Sequence, residues 1–316
     1  MGASHVLRRL GIRSRKREGI AQAFLCRPPR LTYPYVMAGR IDSRRGLTGS
    51  EVMALSLLLV AQPASAQEPV DVELVLAVDV SLSMSPDELE IQRAGYAAAL
   101  TDARVLQAIR DGVHGRIAVT YFEWAGETVQ HVIVPWTIVS SAAEAEAVAR
   151  QLAADPPNSA RRTSISGALG FAADLFAESG MRGMKRVIDI SGDGPNNQGA
   201  SIEPVRDMIV SQGITINGLP LMTNGGLASA YDVSDLDLYY TSCVIGGPGA
   251  FMIPVNEWSQ FPEAIRRKLV LELASAPRAL TAAEAESPPV VLAQAAGYDC
   301  LIGEKMWNNR TWMDRN

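Results

Sequence analysis

The sequence predicts an α/β fold in which a mostly parallel central sheet is covered by helices on both faces. Three observations lead there. Short apolar runs alternate with longer helical segments from residue 70 to about residue 275. The first run, VDVELVLAVD (70–79), ends apolar on consecutive positions, as in a strand buried on both faces. Polar loops rich in Gly, Ser and Asn follow several of the apolar runs, where an open parallel sheet presents its ligand-binding end.

The elements follow in order. After the first strand, SPDELEIQRAGYAAAL carries Ser85 as N-cap, Pro86 at the first helical position and Glu88 three residues after the cap. GRIAVTYFEWA (115–125) and TVQHVIVPW (128–136) read as two strands joined by a short turn containing glycine. SAAEAEAVARQLAAD (141–155) is helical and stops at Pro156-Pro157, and the polar loop NSARRTS leads into a helix, ISGALGFAADLFAES. MKRVIDIS (184–191) is a strand followed by the loop GDGPNNQGA. A helix (IEPVRDMIVSQ), a strand (ITINGLPL), a short helix (DLDLYYTSCV), a strand (AFMIPV) and a closing helix (SQFPEAIRRKLVLELA) complete a Rossmann-like domain over 67–275.

Residues 1–66 read as a leader. VMALSLLLVA (52–61) is too short to span a bilayer, arginines precede it, and Ala64-Ser65-Ala66 fits a cleavage site. Met37 would begin a signal peptide of ordinary length and is the expected true start. The pair Arg44-Arg45 suits a twin-arginine export signal as well as an ordinary one. The expected location is therefore the periplasm or the extracellular space, with no transmembrane segment in the mature chain.

The leader carries 11 of the 29 basic residues and 3 of the 34 acidic ones, so the mature part keeps 18 against 31. That balance, with no basic stripe, argues against nucleic acid or anionic lipid as a partner. Cys26 leaves with the leader. Cys243 and Cys300 remain as an even pair in an oxidising compartment, so a disulfide between them is expected, with two separate thiols as the alternative. Such a bridge would fasten the tail, 276–316, which opens like a linker and ends in YDCLIGEKMWNNRTW.

Three polar loops fall at strand ends or helix starts: Asp79-Val80-Ser81-Leu82-Ser83, the loop of Thr163, and Asp193 within DISGDG. Two carboxylates and three hydroxyls are hard oxygen donors of the kind Mg²⁺ takes, with Mn²⁺ or Ca²⁺ as other occupants. Each residue has a plainer explanation: Asp79 and Ser83 as helix caps, Thr163 as an N-cap, Asp193 as a turn residue beside glycines. Ser85 already provides the better cap, which leaves Asp79, Ser81 and Ser83 to another use on one side of an extended segment.

The set Asp79-x-Ser81-x-Ser83, Thr163 and Asp193-Gly194 resembles the metal-ion-dependent adhesion site of von Willebrand factor A domains. The blocks HGRIAVTYFEWAG, KRVIDISGDGPNNQG, ITINGLPL and CVIGGPGAF are similar to a bacterial exported family of such proteins, of unknown function. The resemblance implies a von Willebrand factor A-like domain. It further implies that Ser81, Ser83 and Thr163 contact the metal, while Asp79 and Asp193 act mainly through bound water. Ser191 and Gly192, before Asp193, depart from the apolar or Thr residues of many A domains without removing a ligand.

Other constellations are weaker. The mature chain has only His114 and His131 and no G-x-S-x-G elbow, so a nucleophilic hydrolase is not expected. A strand ending in Asp-x-Asp would suit a dehalogenase-type phosphatase, but Ser81 stands at the second acid. GGPG (246–249) reads as a tight turn, and Tyr121, Phe122 and Trp124 as core. Asn196 and Asn197 read as turn residues or as lining of the binding face. The expected function is a non-enzymatic, exported binding module whose cation accepts an Asp or Glu of a partner protein. Metal-assisted phosphoryl transfer and a purely structural domain are the alternatives.

Overall fold

The computed structural model describes residues 67–154, 156, 158–223, 233–274, 289–293 and 297–313. The leader, its cleavage site and much of the linker after residue 275 lie outside the described residues. One seven-stranded sheet organises the rest, in the order β3-β2-β1-β4-β5-β6-β7. The strands are β1 (Glu68–Asp79), β2 (Ile117–Trp124), β3 (Gln130–Val139), β4 (Met181–Gly192), β5 (Ile214–Pro220), β6 (Phe251–Met252) and β7 (Val291–Leu292). All neighbours pair in parallel except β2 with β3 and β6 with β7. This is the Rossmann-like sheet expected.

β1 sits centrally and is buried on both faces because its side chains split between two cores. Val72, Leu74, Leu76 and Val78 face α1 (Pro86–Thr101), α2 (Ala103–Arg110), α3 (Ala142–Leu152) and α7 (Phe261–Leu273). Val75 and Ala77 face α4 (Ile165–Glu178), α5 (Ile202–Ser211) and α6 (Leu236–Tyr239). Tyr121, Phe122 and Trp124 are buried, as their core reading requires, and Glu123 between them pairs with Arg93 at 2.6 Å. The GGPG turn is confirmed by positive φ at Gly247 and Gly249.

Some elements differ from expectation. A second helix, α2, starts directly after α1 because Asp102 ends one and caps the next, its carboxylate accepting from Arg104 N at 2.8 Å. The strand expected over 250–255 shrinks to Phe251–Met252, since Pro254 has no N–H to give a ladder. α6 passes into a π-helical turn, Tyr240–Val244, which carries Cys243. Cys243 and Cys300 form the expected disulfide, with a sequence separation of 57 and Cα atoms 5.6 Å apart. A loop of that length is worth about 4 kcal/mol on chain entropy. The bridge fastens a helix, α8 (Ile302–Met313), to the domain. No helix among the described residues is long and apolar enough to cross a membrane.

A buried polar cluster lies between β4, β5 and α7. Lys268 Nζ stands 2.7 Å from Asp189 Oδ1 and 2.5 Å from Glu272 Oε1, all three side chains without exposure. Asn217 Nδ2 donates to Glu272 Oε1 at 2.9 Å, Lys185 Nζ donates to the Glu272 carbonyl at 3.3 Å, and the Tyr96 phenol is close enough to feel the Glu272 charge. One ammonium faces two carboxylates here. Burial, then the Asp189 charge, pushes the Glu272 carboxyl up to about 7, against 4.5 ordinarily. Between those two pH values the native state holds a proton that the unfolded chain has lost, so stability declines as pH rises through this window and levels off above it. Urea unfolding at pH 5 and pH 8 is expected to show the wild type losing about 2–3 kcal/mol more than Glu272→Gln over this interval. Equal losses would show that Glu272 does not titrate there.

Candidate metal centre

Asp79 is the last residue of β1, at the point where the chain's crossovers diverge: β1 connects to β2 on one side, and β4 to β5 on the other. Such a switch point opens a crevice at the strands' carboxyl ends. Beyond Asp79 the chain stays extended, with Val80 N donating to Trp124 O at 2.8 Å and Leu82 N to Ala160 O at 2.9 Å. Ser81 N donates to Asp79 Oδ1 at 2.7 Å, which pins the carboxylate. A turn then delivers Ser85, whose reciprocal bonds with Glu88 form the capping box. Ser85 is thus used by the helix, and Ser81 and Ser83 are left to the crevice.

The two serine hydroxyls lie 2.8 Å apart. Ser83 Oγ donates to Asp193 Oδ1 at 2.9 Å, and Ser81 Oγ lies 3.5 Å from the same oxygen. Thr163 is not the cap of α4. Ser164 is, accepting from Gly167 N at 3.2 Å. Thr163 N instead donates to Asn197 Oδ1 at 3.0 Å while Asn197 N donates to Thr163 O at 2.8 Å, which ties the second loop to the third. Ser81, Ser83, Thr163 and Asp193 line one cleft of about 430 Å³, and Asp79 lies fully buried behind Ser81. The five residues singled out in the sequence therefore gather at one place.

Burial, and after it the charge of Asp193, pushes the Asp79 carboxyl well above the usual range. Its Oδ2 is buried with no hydrogen-bond partner. Gly192 makes room for it: a Cβ there would come within 3.0 Å of Asp79 Oδ2 and 3.0 Å of the Tyr240 hydroxyl. Two carboxylates, one of them with a buried oxygen lacking a hydrogen-bond partner, and three hydroxyls fit a hard divalent cation. Among the described residues no group of three or more His, Cys, Asp or Glu could hold a metal, so a cation here would depend on hydroxyls.

Of the two asparagines, Asn197 lines the cleft. Asn196 is buried and braces it, accepting from Ser166 N at 3.0 Å and donating to Ala200 O at 3.1 Å and Glu304 Oε1 at 2.7 Å. Sequence reasoning missed Arg161, Arg162 and Trp307 in the cleft wall. The two arginines were visible as neighbours of Thr163. Trp307 had no signal except its place seven residues after Cys300.

Residues 69–277 match a family described as Protein of unknown function (DUF1194). No curated protein matches the sequence. Several solved structures are similar to the chain at low identity. Proximal thread matrix protein 1 from the mussel byssus, in a structure described as having a zinc-occupied MIDAS motif, is 14% identical with a TM-score of 0.46, covering 66% of this chain and 48% of that one. BatB from Bacteroides thetaiotaomicron is 19% identical with a TM-score of 0.42, covering 65% and 100%. A von Willebrand factor type A structure from Catenulispora acidiphila is 14% identical with a TM-score of 0.42, covering 66% and 43%. The chain spans about half the length of the mussel protein.

The crowding at Gly192 gives a stability test. Gly192→Ala is expected to cost 1–3 kcal/mol in chemical denaturation, because both contacts of the new methyl are with buried groups. Gly194→Ala, where a Cβ would meet nothing within 4 Å, is expected to stay within about 0.5 kcal/mol of wild type.

Proposed function

Since the chain belongs to the DUF1194 family, whose function is unknown, and its fold is von Willebrand factor A-like, we propose that it is an exported, non-enzymatic binding module with a divalent-cation site. Asp79, Ser81, Ser83, Thr163 and Asp193 would hold the cation, Mg²⁺ first and Mn²⁺ or Ca²⁺ as substitutes. The observation that supports this most is the buried Asp79 carboxylate, one oxygen of which has no donor, beside a cleft lined by hydroxyls. When bound, the cation supplies an electrophilic position for a carboxylate oxygen from an Asp or Glu of a partner protein.

The chain's own residues prepare that position. Ser81 N fixes the Asp79 carboxylate, Ser83 holds Asp193, and the paired bonds between Thr163 and Asn197 keep two loops in step. A binding role rather than turnover is supported by the surroundings of Ser81, whose hydroxyl has Ser83 and Asp193 as neighbours. His114 lies away from the cleft, its backbone bonded to Asp71 near the other end of β1, and His131 is an exposed residue of β3. Export is supported by the disulfide together with the leader pattern.

Two measurements test the reading together. Calorimetry is expected to give one Mg²⁺ or Mn²⁺ per wild-type chain and at least tenfold weaker binding in Asp79→Ala. A capped peptide with a single Glu, immobilised on beads, is expected to retain the wild type in Mg²⁺ and to release it in chelator. Retention that is undiminished both by chelator and by Asp79→Ala would sink the proposal.

A further inference from the structure

The loop that carries Asp193 is held by a ring of contacts that a disulfide closes. Asn196, three residues after Asp193, is fully buried and uses every polar hydrogen it has. Its N–H donates to the Tyr239 hydroxyl at 3.1 Å, and its Nδ2 donates to Ala200 O at 3.1 Å and to Glu304 Oε1 at 2.7 Å. Two of those partners lie on the two arms of the Cys243–Cys300 bridge. Tyr239 ends α6, four residues before Cys243, and Glu304 lies on α8, four residues after Cys300. The rings of Tyr239 and Tyr298 also meet edge to face, with centroids 6.0 Å apart.

The arm of Cys243 reaches the other side of Asp193 as well. Tyr240 opens the π-helical turn, and its hydroxyl donates to the Gly192 carbonyl at 3.5 Å. Asp193 is thus flanked by one tether before it and one after it. α8 adds a close contact, since a Cβ at Gly303 would overlap the Asn196 carbonyl oxygen. The same helix brings Trp307 to the cleft wall, where its ring centre lies 3.3 Å from the guanidinium carbon of Arg162. All of α8 lies beyond residues 69–277, the part of the chain that matches the family.

We propose that Asn196 is a positioning residue for the cation site and that the Cys243–Cys300 bond sets it, so that cation affinity depends on the oxidation state of this pair. The inference rests on the cation reading above. A ligand on a loop binds well when the loop is already in place, because ordering it on binding subtracts from affinity. Little besides the bridge holds α8: among its described positions only Gly303 is fully buried, and a helix of twelve residues is marginal alone in water. Opening the bridge frees α8 and takes the Glu304 acceptor from Asn196. A buried amide hydrogen without an acceptor is costly, so the loop shifts toward solvent and carries Asp193 with it.

A dithiol is the class of reductant that opens such a clasp. Its thiolate attacks Cys300 Sγ, which is 6% exposed against 0% for Cys243, and Cys243 leaves as a thiolate and takes a proton. The second thiol of the reductant then displaces Cys300, which is protonated in turn, and closes the reductant's own disulfide. Since such bonds persist in oxidising compartments, the site would reach full affinity only after export.

The test titrates Mg²⁺ calorimetrically into the full chain, first oxidised, then reduced with excess dithiothreitol, then reoxidised. Affinity is expected to fall at least tenfold on reduction and in Cys243→Ser/Cys300→Ser, and to return on reoxidation. With the bridge intact, Glu304→Ala is expected to weaken Mg²⁺ at least threefold, while Glu304→Gln, which keeps an acceptor for Asn196 Nδ2, stays within about twofold of wild type. Hydrogen exchange in metal-free protein gives a second readout: the N–H groups of Asn196 and Asn197 are expected to exchange at least tenfold faster after reduction, while those of β1 and β4 stay protected. Equal Mg²⁺ affinity in the oxidised and reduced chains overturns this inference alone, as does a loss of affinity accompanied by loss of protection throughout β1 and β4. If the oxidised chain binds no Mg²⁺, the cation reading falls and this inference with it.

Discussion

A carboxylate without solvent at the end of the central strand is the constraint on which the site depends. Asp79 ends β1 between β2 and β4, where the sheet's connections turn away from each other and leave a crevice. An isolated buried charge of this kind costs several kcal/mol unless something opposite in charge, or a proton, answers it. The chain answers part of it, with the N–H of Ser81 first and the Ser81 hydroxyl and Asp193 backbone after it, and opens space for the second oxygen by having glycine at position 192. A core built for stability alone would place an apolar residue there. The combination of full burial, one unsatisfied oxygen and a second carboxylate nearby is sensible if a cation completes it.

Around that acid the geometry is held by polar groups bonding to backbone, more than by apolar packing. Asn197 joins the Thr163 loop to the Asp193 loop, Asn196 joins the Asp193 loop to the start of α4 and to α8, and Ser164 both caps α4 and donates to Gln198 O. Each bond is worth about 1 kcal/mol net, but leaving a buried partner unmatched costs more. Loops tied in this way are held by their polar bonds even where burial is of polar side chains, as at Thr163, Ser164, Asp193 and Asn196. β4 adds a further polar anchor upstream, where Asp189 meets Lys268 of α7 and Ser191 accepts from the Tyr96 phenol at 3.4 Å. The strand that leads to Asp193 is thus gripped from the α1 and α7 side before it reaches the cleft.

What could be read in the sequence was what depends on local pattern. β1 announced itself through its apolar run, α1 through Ser85, Pro86 and Glu88, and the site through polar residues at the ends of strands. Elimination helped: once Ser85 was the cap, Ser81 and Ser83 needed another role, and the structure shows them hydrogen-bonded to each other. Thr163 was the weakest of the five on pattern, since a threonine before a helix is ordinarily its cap, and only the structure shows Ser164 in that role. α2 was missed because one residue, Asp102, serves as both stop and start. Arg162 was in plain view, but its left-handed backbone is imposed by neighbours and leaves no trace in the residue type.

Trp307 marks the limit of that reading, and it also shows what the disulfide does. α8 has twelve residues, a length at which a helix is marginal alone in water. Of its described side-chain positions only Gly303 is fully buried, with Ile302 packed partly against the core, so apolar burial offers little to offset the cost of ordering it. The covalent link from Cys300 to Cys243 removes much of that cost in advance by confining the segment near α5 and the π-helical turn. One side-chain bond to Asn196 and one close glycine contact then suffice to set the helix in register beside Arg162. A residue nearly 150 positions from Thr163 lines the same cleft, on a helix that a bond of the kind formed in an oxidising compartment holds to the domain.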